Sequence, residues 1–249
     1  MEWEYGFAFA TLTILAVLQV FYLPRMRLLP TRQNQCFCAL LYTESLTMIL
    51  SLASVFVNSR HDFVPAIVLF FINISFGVSF LVCSYLEFEY IAVVLHVDEH
   101  RRVHKIFSIV PLIGAVAICI FAPFAGYVVY ISPSEGYVER AGYSLLYVVA
   151  LYYFCLTAYV LVTRWRRVNR KIRYTILIYS LIISAGLALR YVLNEASIIY
   201  FSALVATLIA YLCLQGPSFY INSRTRCFNH QSLAELMDDC QLERQDYVV

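Results

Sequence analysis

The chain has 249 residues, of which 61% are hydrophobic and 14% charged, and its net charge is +2. Soluble domains run at about 45–50% apolar and about 25% charged, and mean hydropathy here is +0.72. These figures count against a soluble enzyme, a disordered chain and a nucleic-acid binder, and the length fits one or two domains.

Met1 to Tyr5 holds Glu2 and Glu4 but no basic residue. A secretory signal peptide opens on a positive segment, so the first apolar run reads as a retained span. A helix needs about 20 mostly apolar residues to cross about 30 Å of hydrocarbon. Seven runs qualify: Tyr5 to Leu23, Cys36 to Val57, Val64 to Leu86, Ile106 to Ile131, Tyr143 to Val162, Tyr174 to Leu193, and Ser197 to Leu214. They are continuous rather than alternating, which points to helices and not to barrel strands. The expected fold is an all-α membrane protein, a seven-transmembrane helix bundle spanning residues 1–214. The third run is expected to continue as an amphipathic helix to about His104. Only Asn194, Glu195 and Ala196 separate the last two runs, which implies a tight helical hairpin.

Basic residues set the orientation. Arg25, Arg27 and Arg32 fall in the first connection, and Arg101, Arg102 and Lys105 in the third. The fifth holds Arg164, Arg166, Arg167, Arg170, Lys171 and Arg173, and the tail holds Arg224, Arg226 and Arg244. Fifteen of the 18 basic residues thus share one side, leaving Arg60, Arg140 and Arg190 on the other. The N-terminus is expected outside and the C-terminus in the cytoplasm. The fifth connection is a topology determinant before it is anything else, and no nucleic-acid partner is expected. The outer connections are short, so an outside stimulus must be read by the bundle itself.

None of the eight cysteines lies in a segment assigned to the outside, so no disulfide framework is expected. Cys36-Phe37-Cys38 is CxC rather than the CxxC of zinc or thiol-redox sites. His96, His100 and His104 would share one face of an extended third helix, but nothing local completes a ligand set. Contact with phospholipid head groups explains them better beside Arg101 and Arg102. No metal site and no cofactor is expected.

An ionisable residue inside a span is costly and is a functional candidate by default. Glu44 lies nine residues into the second span, where it can bind a cationic or hydrogen-bonding ligand, carry a proton or hold an ion. The alternative is a hydrogen-bonded packing residue. Glu87 and Glu89 sit at the inner end of the third span, where salt bridges to the basic loops are the favoured reading. Arg190 and Glu195 flank the outer hairpin and pair with each other or bind a zwitterionic or anionic ligand. Asn73 and Ser75, in the outer half of the third span, suit interhelical hydrogen bonds. Tyr143 and Tyr147 are one turn apart near the outer surface, as an aromatic belt or as the lining of an outer pocket. The candidate ligand set is therefore Glu44, Asn73, Ser75, Tyr143, Tyr147, Arg190 and Glu195, for an unidentified small molecule. Pro111, Gly114, Pro123 and Gly126 predict a kinked fourth helix.

After Leu214 the composition changes. Gln215-Gly216-Pro217-Ser218 breaks the helix, residues 215–222 read as a linker, and residues 223–249 as the start of another domain. The stretch from Tyr211 to Pro217, with the short linker after it, is similar to the exit of bacterial seven-span sensor modules that precede histidine kinase or GGDEF cyclic-di-GMP domains. Asn222 to His230 resembles the opening of a GGDEF domain, D-x-L-T-G-L-x-N-R. Thr225, Phe228 and Asn229 fit, whereas Asn222, Arg224, Arg226 and His230 depart from it. The resemblance implies an input module in a bacterial inner membrane that works as a homodimer through its output domain. It implies signal transmission through Gln215 and Pro217 and guanine recognition by Asn229. The GGDEF loop and its metal-binding Asp do not occur in the chain, so it is not expected to catalyse by itself and reads as a sensor cut off early in its output domain. The rival class is a small-solute or proton-coupled transporter or channel. An internal repeat with paired broken helices would mark one, and none is evident.

Overall fold

Among the described residues, buried positions at helical spacing organise the chain into seven α-helices. The computed structural model describes residues 2–28, 31–60, 63–95, 97, 102–121, 129–132, 136–139, 144–166, 168–193 and 197–215. The helices are α1 (Glu2–Leu28), α2 (Arg32–Asn58), α3 (Ala66–Val94), α4 (Arg102–Phe121), α5 (Ser144–Thr163), α6 (Arg170–Leu193) and α7 (Ser197–Leu214). Each of α2, α3, α5 and α6 holds a stretch long and apolar enough to cross a membrane. The other three hold shorter apolar stretches, Ala8–Tyr22, Ile106–Phe121 and Ile198–Leu214. Large side chains such as Phe9, Phe71, Leu181 and Leu212 point outward. So broad an apolar exterior fits association with a lipid bilayer.

Thr31 starts α2. Its backbone is extended and its hydroxyl accepts from the Asn34 N–H at 3.4 Å, which satisfies one of the orphan donors of the first turn. Along α2 the buried positions Phe37, Leu41, Glu44, Met48 and Ser51 recur every three or four residues. In α3 the buried set begins as Leu69, Asn73 and Gly77, one residue per turn, and ends nearly continuous from Phe88 to Leu95. That helix thus passes from a one-sided to an enclosed environment.

Packing joins α1 to α2, α2 to α3, α3 to α4 and α5, α4 to α5, α5 to α6, α6 to α7, and α7 back to α1. The hairpin of α6 and α7 is close-packed at Gly186, where a β-carbon would collide with the Ser202 side chain. Two aromatic layers mark the ends of the bundle. At the end that carries the arginine-rich connections, the Tyr22 ring meets Phe37 edge-on at 4.9 Å and Phe37 lies 5.3 Å from Tyr90. At the opposite end Phe76 meets Tyr200 at 6.4 Å.

Three expectations are corrected. The third helix does not run on to His104: it ends at Val94, with Leu95 as its C-cap, and a separate helix starts at Arg102. His104 therefore sits on a different helix, and His96 and His100 lie outside the described residues. The fourth helix is not followed to Ile131. Val129–Ser132 instead forms β1, paired antiparallel with β2 (Gly136–Glu139) in the register Val129 to Glu139 and Ser132 to Gly136. Tyr130 opposite Val138 and Ile131 opposite Tyr137 pair aromatic with β-branched residues, which favours strand pairing. Among the described residues, one short hairpin therefore accompanies the helices. Finally, α1 and α2 each extend several residues beyond their apolar runs, α1 to Leu28 and α2 from Arg32.

Pro111 lies inside α4 and provides no N–H for the Phe107 carbonyl one turn back. The Tyr152 hydroxyl supplies that donor at 2.7 Å. The neighbouring Ser108 carbonyl accepts from Tyr153, also at 2.7 Å. Two consecutive tyrosines of α5 thus serve the backbone around the proline, which lets α4 continue through it.

Candidate functional site

Glu44 is 5% exposed and stands midway along α2. The Thr207 hydroxyl of α7 donates to its Oε1 at 2.5 Å. Its Oε2 has no hydrogen-bond partner among the described residues. Glu44 lines a cavity of about 80 Å³ walled by α1, α2, α3, α5, α6 and α7. A water needs about 10–15 Å³ by this measure, so the space suits a small ligand or a cluster of about five waters.

On α3 the residues Phe80, Cys83, Ser84, Glu87, Phe88 and Ile91 line this cavity, spaced three and one alternately as a helical stripe requires. Cys83 Sγ and one carboxylate oxygen each from Glu44 and Glu87 lie within 4.8 Å of one another. The opposite wall brings Tyr179, 3% exposed, whose hydroxyl is likewise unpartnered among the described residues. Several other polar groups of the wall are already engaged. Thr47 Oγ1 bonds the Thr43 carbonyl and Ser79. Ser84 bonds the Phe80 carbonyl, Thr157 the Tyr153 carbonyl and Tyr153 the Ser108 carbonyl. No Lys, Arg or His lines the cavity among the described residues. The salt bridge to the basic loops expected of Glu87 is therefore corrected, since its place on the Cys83 stripe turns it inward. Two residues further on, Glu89 faces elsewhere and accepts from the Tyr85 hydroxyl at 2.8 Å.

Arg190 and Tyr147 come together, with the guanidinium 5.0 Å from the ring centroid, inside the range of a cation–π contact. They line a separate cavity of about 10 Å³. Phe80, Ile199 and Tyr200 border both spaces, so they form the partition between Arg190 and the Glu44 chamber.

Asn73 is buried against α2. It accepts from Ser54 at 2.5 Å and donates to Asn58 at 3.1 Å and to the Leu69 carbonyl at 2.8 Å. This is an interhelical clamp and lines neither cavity. Ser75 is exposed on the outer face of α3. Tyr143, Glu195, Pro217 and Asn229 lie outside the described residues.

Gln215, 2% exposed, closes α7 at the arginine-rich end. The Tyr22 hydroxyl donates to Asn34 Oδ1 at 2.8 Å and approaches Gln215 Oε1 at 3.2 Å. Gln215 Nε2 reaches the Tyr90 hydroxyl at 3.4 Å, and Gln33 bonds the Leu214 carbonyl. The node ties α1, α2, α3 and α7 together.

Sequence reading singled out Glu44 but not Cys83, Tyr179 or Thr207. The spacing of Cys83, Ser84 and Glu87 marks the α3 stripe once Glu87 is taken as its polar member. Thr207 and Tyr179 carry no comparable signal. Compared with protein families, curated proteins and solved structures, the chain matches none.

Proposed function

We propose that this chain is a multi-pass membrane sensor with seven spans, its N-terminus outside and its C-terminus in the cytoplasm, in a bacterial inner membrane. The observation that carries the reading is the chamber at mid-bundle, lined by two carboxylates and by two polar atoms unpartnered among the described residues. A small ligand with positive charge or hydrogen-bond donors satisfies those acceptors, and buried charge is stable only when paired or coordinated. Arg190 and Tyr147, beyond the Phe80 and Tyr200 partition, guard the approach from the opposite end.

Helix α7 gives the chamber an output. Thr207 touches Glu44, and Gln215 stands eight residues further along, about 12 Å at 1.5 Å per residue. A ligand that draws Glu44 toward itself pulls on Thr207 through their hydrogen bond and biases two positions of α7 relative to α1, α2 and α3, and sensing requires two arrangements of unequal ligand affinity. The likeness of the tail to a GGDEF opening makes the output a cyclic-di-GMP-type domain acting as a homodimer, with Pro217 in the connection and Asn229 toward guanine.

A mid-membrane carboxylate beside a polar chamber also favours one second reading, a proton- or cation-coupled transporter. Proteoliposome flux separates the two. The sensor reading expects no proton or monovalent-cation flux that Glu44→Gln removes, and a Glu44-dependent flux overturns it in favour of transport.

A further inference from the structure

We propose that Glu44, Cys83 and Glu87 bind one divalent transition-metal ion of the zinc type inside the chamber. This rests on the reading of the chamber as the ligand site and names the ligand's class.

The donors come from two packed helices: Glu44 from α2, and Cys83 with Glu87, one turn apart, from α3. Their donor atoms lie within 4.8 Å of one another. Bonds of about 2.0–2.2 Å to oxygen and about 2.3 Å to sulfur place tetrahedral donors about 3.3–3.7 Å apart. Closure therefore asks for side-chain movements on the order of 1 Å, within rotamer adjustment and without a shift of α2 against α3. The second observation is independent of this spacing. Tyr179, 3% exposed, ends in an unpartnered hydroxyl on the facing wall. The chamber thus contains more acceptor capacity than the described chain satisfies, and no cation of its own.

Sulfur decides the kind of ion. Carboxylates and carbonyls alone suit magnesium or calcium, whereas a thiolate selects zinc and its soft or borderline neighbours. On binding, the Cys83 thiol gives its proton to solvent, and the sulfur bonds the metal as thiolate with no change of oxidation state. Three protein donors leave a fourth position to water or Tyr179, the open arrangement of exchangeable sites rather than the four-ligand closure of structural ones. Thr207 orients Glu44 as outer-shell partners of metal ligands do.

The test uses the full chain purified in detergent, stripped with a chelator and titrated with Co²⁺, whose thiolate complexes absorb in the near ultraviolet. The expected result is a saturable band at one ion per chain that Zn²⁺ displaces. Cys83→Ser is expected to abolish the band and Cys119→Ser to leave it. Thr207→Val keeps all three donors and is expected to weaken Zn²⁺ affinity about 10–100-fold, which covers the case in which Glu44→Gln fails to fold. No saturable band, or one indifferent to Cys83→Ser, overturns the proposal. Glu44-dependent thermal stabilisation by methylammonium without Co²⁺ binding would also overturn the metal while leaving the chamber a ligand site. Stoichiometric Co²⁺ binding with α7 unmoved would uphold the metal and overturn the sensor.

Discussion

A carboxylate in the middle of an apolar helix needs partners, and among the described residues Glu44 has one for only one of its two oxygens. Thr207→Val removes that partner and leaves the whole carboxylate unsatisfied. The expected cost is about 1–3 kcal/mol, read as a lower midpoint of unfolding in detergent. Tyr179→Phe deletes a hydroxyl with no partner among the described residues, so its stability is expected to stay within about 0.5 kcal/mol of the parent. A larger loss would show that the hydroxyl is engaged. Glu44 was legible in the sequence because charge is rare inside a span. Thr207 and Tyr179 were not, since hydroxyls are ordinary in membrane helices and the Glu44–Thr207 contact joins positions 163 residues apart. Asn73 was legible as a hydrogen-bonding residue, and its bonds to Ser54 and Asn58 are of the interhelical kind.

Among the helices, α4 depends on its neighbour. Tyr152→Phe leaves the Phe107 carbonyl without the donor that replaces the one lost at Pro111. It is expected to cost about 1 kcal/mol. In a Pro111→Ala background the restored N–H serves the carbonyl, so the same change is expected to cost little. Equal losses in both backgrounds, measured as a double-mutant cycle, would contradict this account of the proline. Helix packing offers a second contrast. Gly186→Ala drives a methyl into Ser202 and is expected to cost about 1–3 kcal/mol. Gly114 has open space around its α-carbon, so Gly114→Ala is expected to be neutral or to stabilise by up to about 1 kcal/mol. Helix positions were legible because long apolar runs announce themselves. The break after Val94 was hidden, because His96, His100 and His104 mimic a continuing face. The β1–β2 hairpin was hidden because Val129, Tyr130 and Ile131 are as apolar as a span end.

For the molecule as a whole, hydropathy alone made the helical membrane character legible. The enclosure of a chamber by six helices was not, because it depends on which faces meet. The arginine-rich connections and the Gln215 node occupy one end of the bundle, and the Arg190–Tyr147 contact the other. Between them, α7 links the two ends, since Thr207 bonds Glu44 and Gln215 at its end joins the node. The central claim is that the state of Glu44 sets the position of α7 at the arginine-rich end. Nitroxide labels carried on bio-orthogonal residues at the exposed positions Tyr174 and Leu212 measure the distance from α6 to α7 there without disturbing the native cysteines. In lipid nanodiscs, Thr207→Val and Glu44→Gln are expected to shift or broaden that distribution by about 1–2 Å, the scale of helix movements in switching proteins. Distributions that superimpose on the parent's for both variants, in protein that remains folded, would contradict the claim.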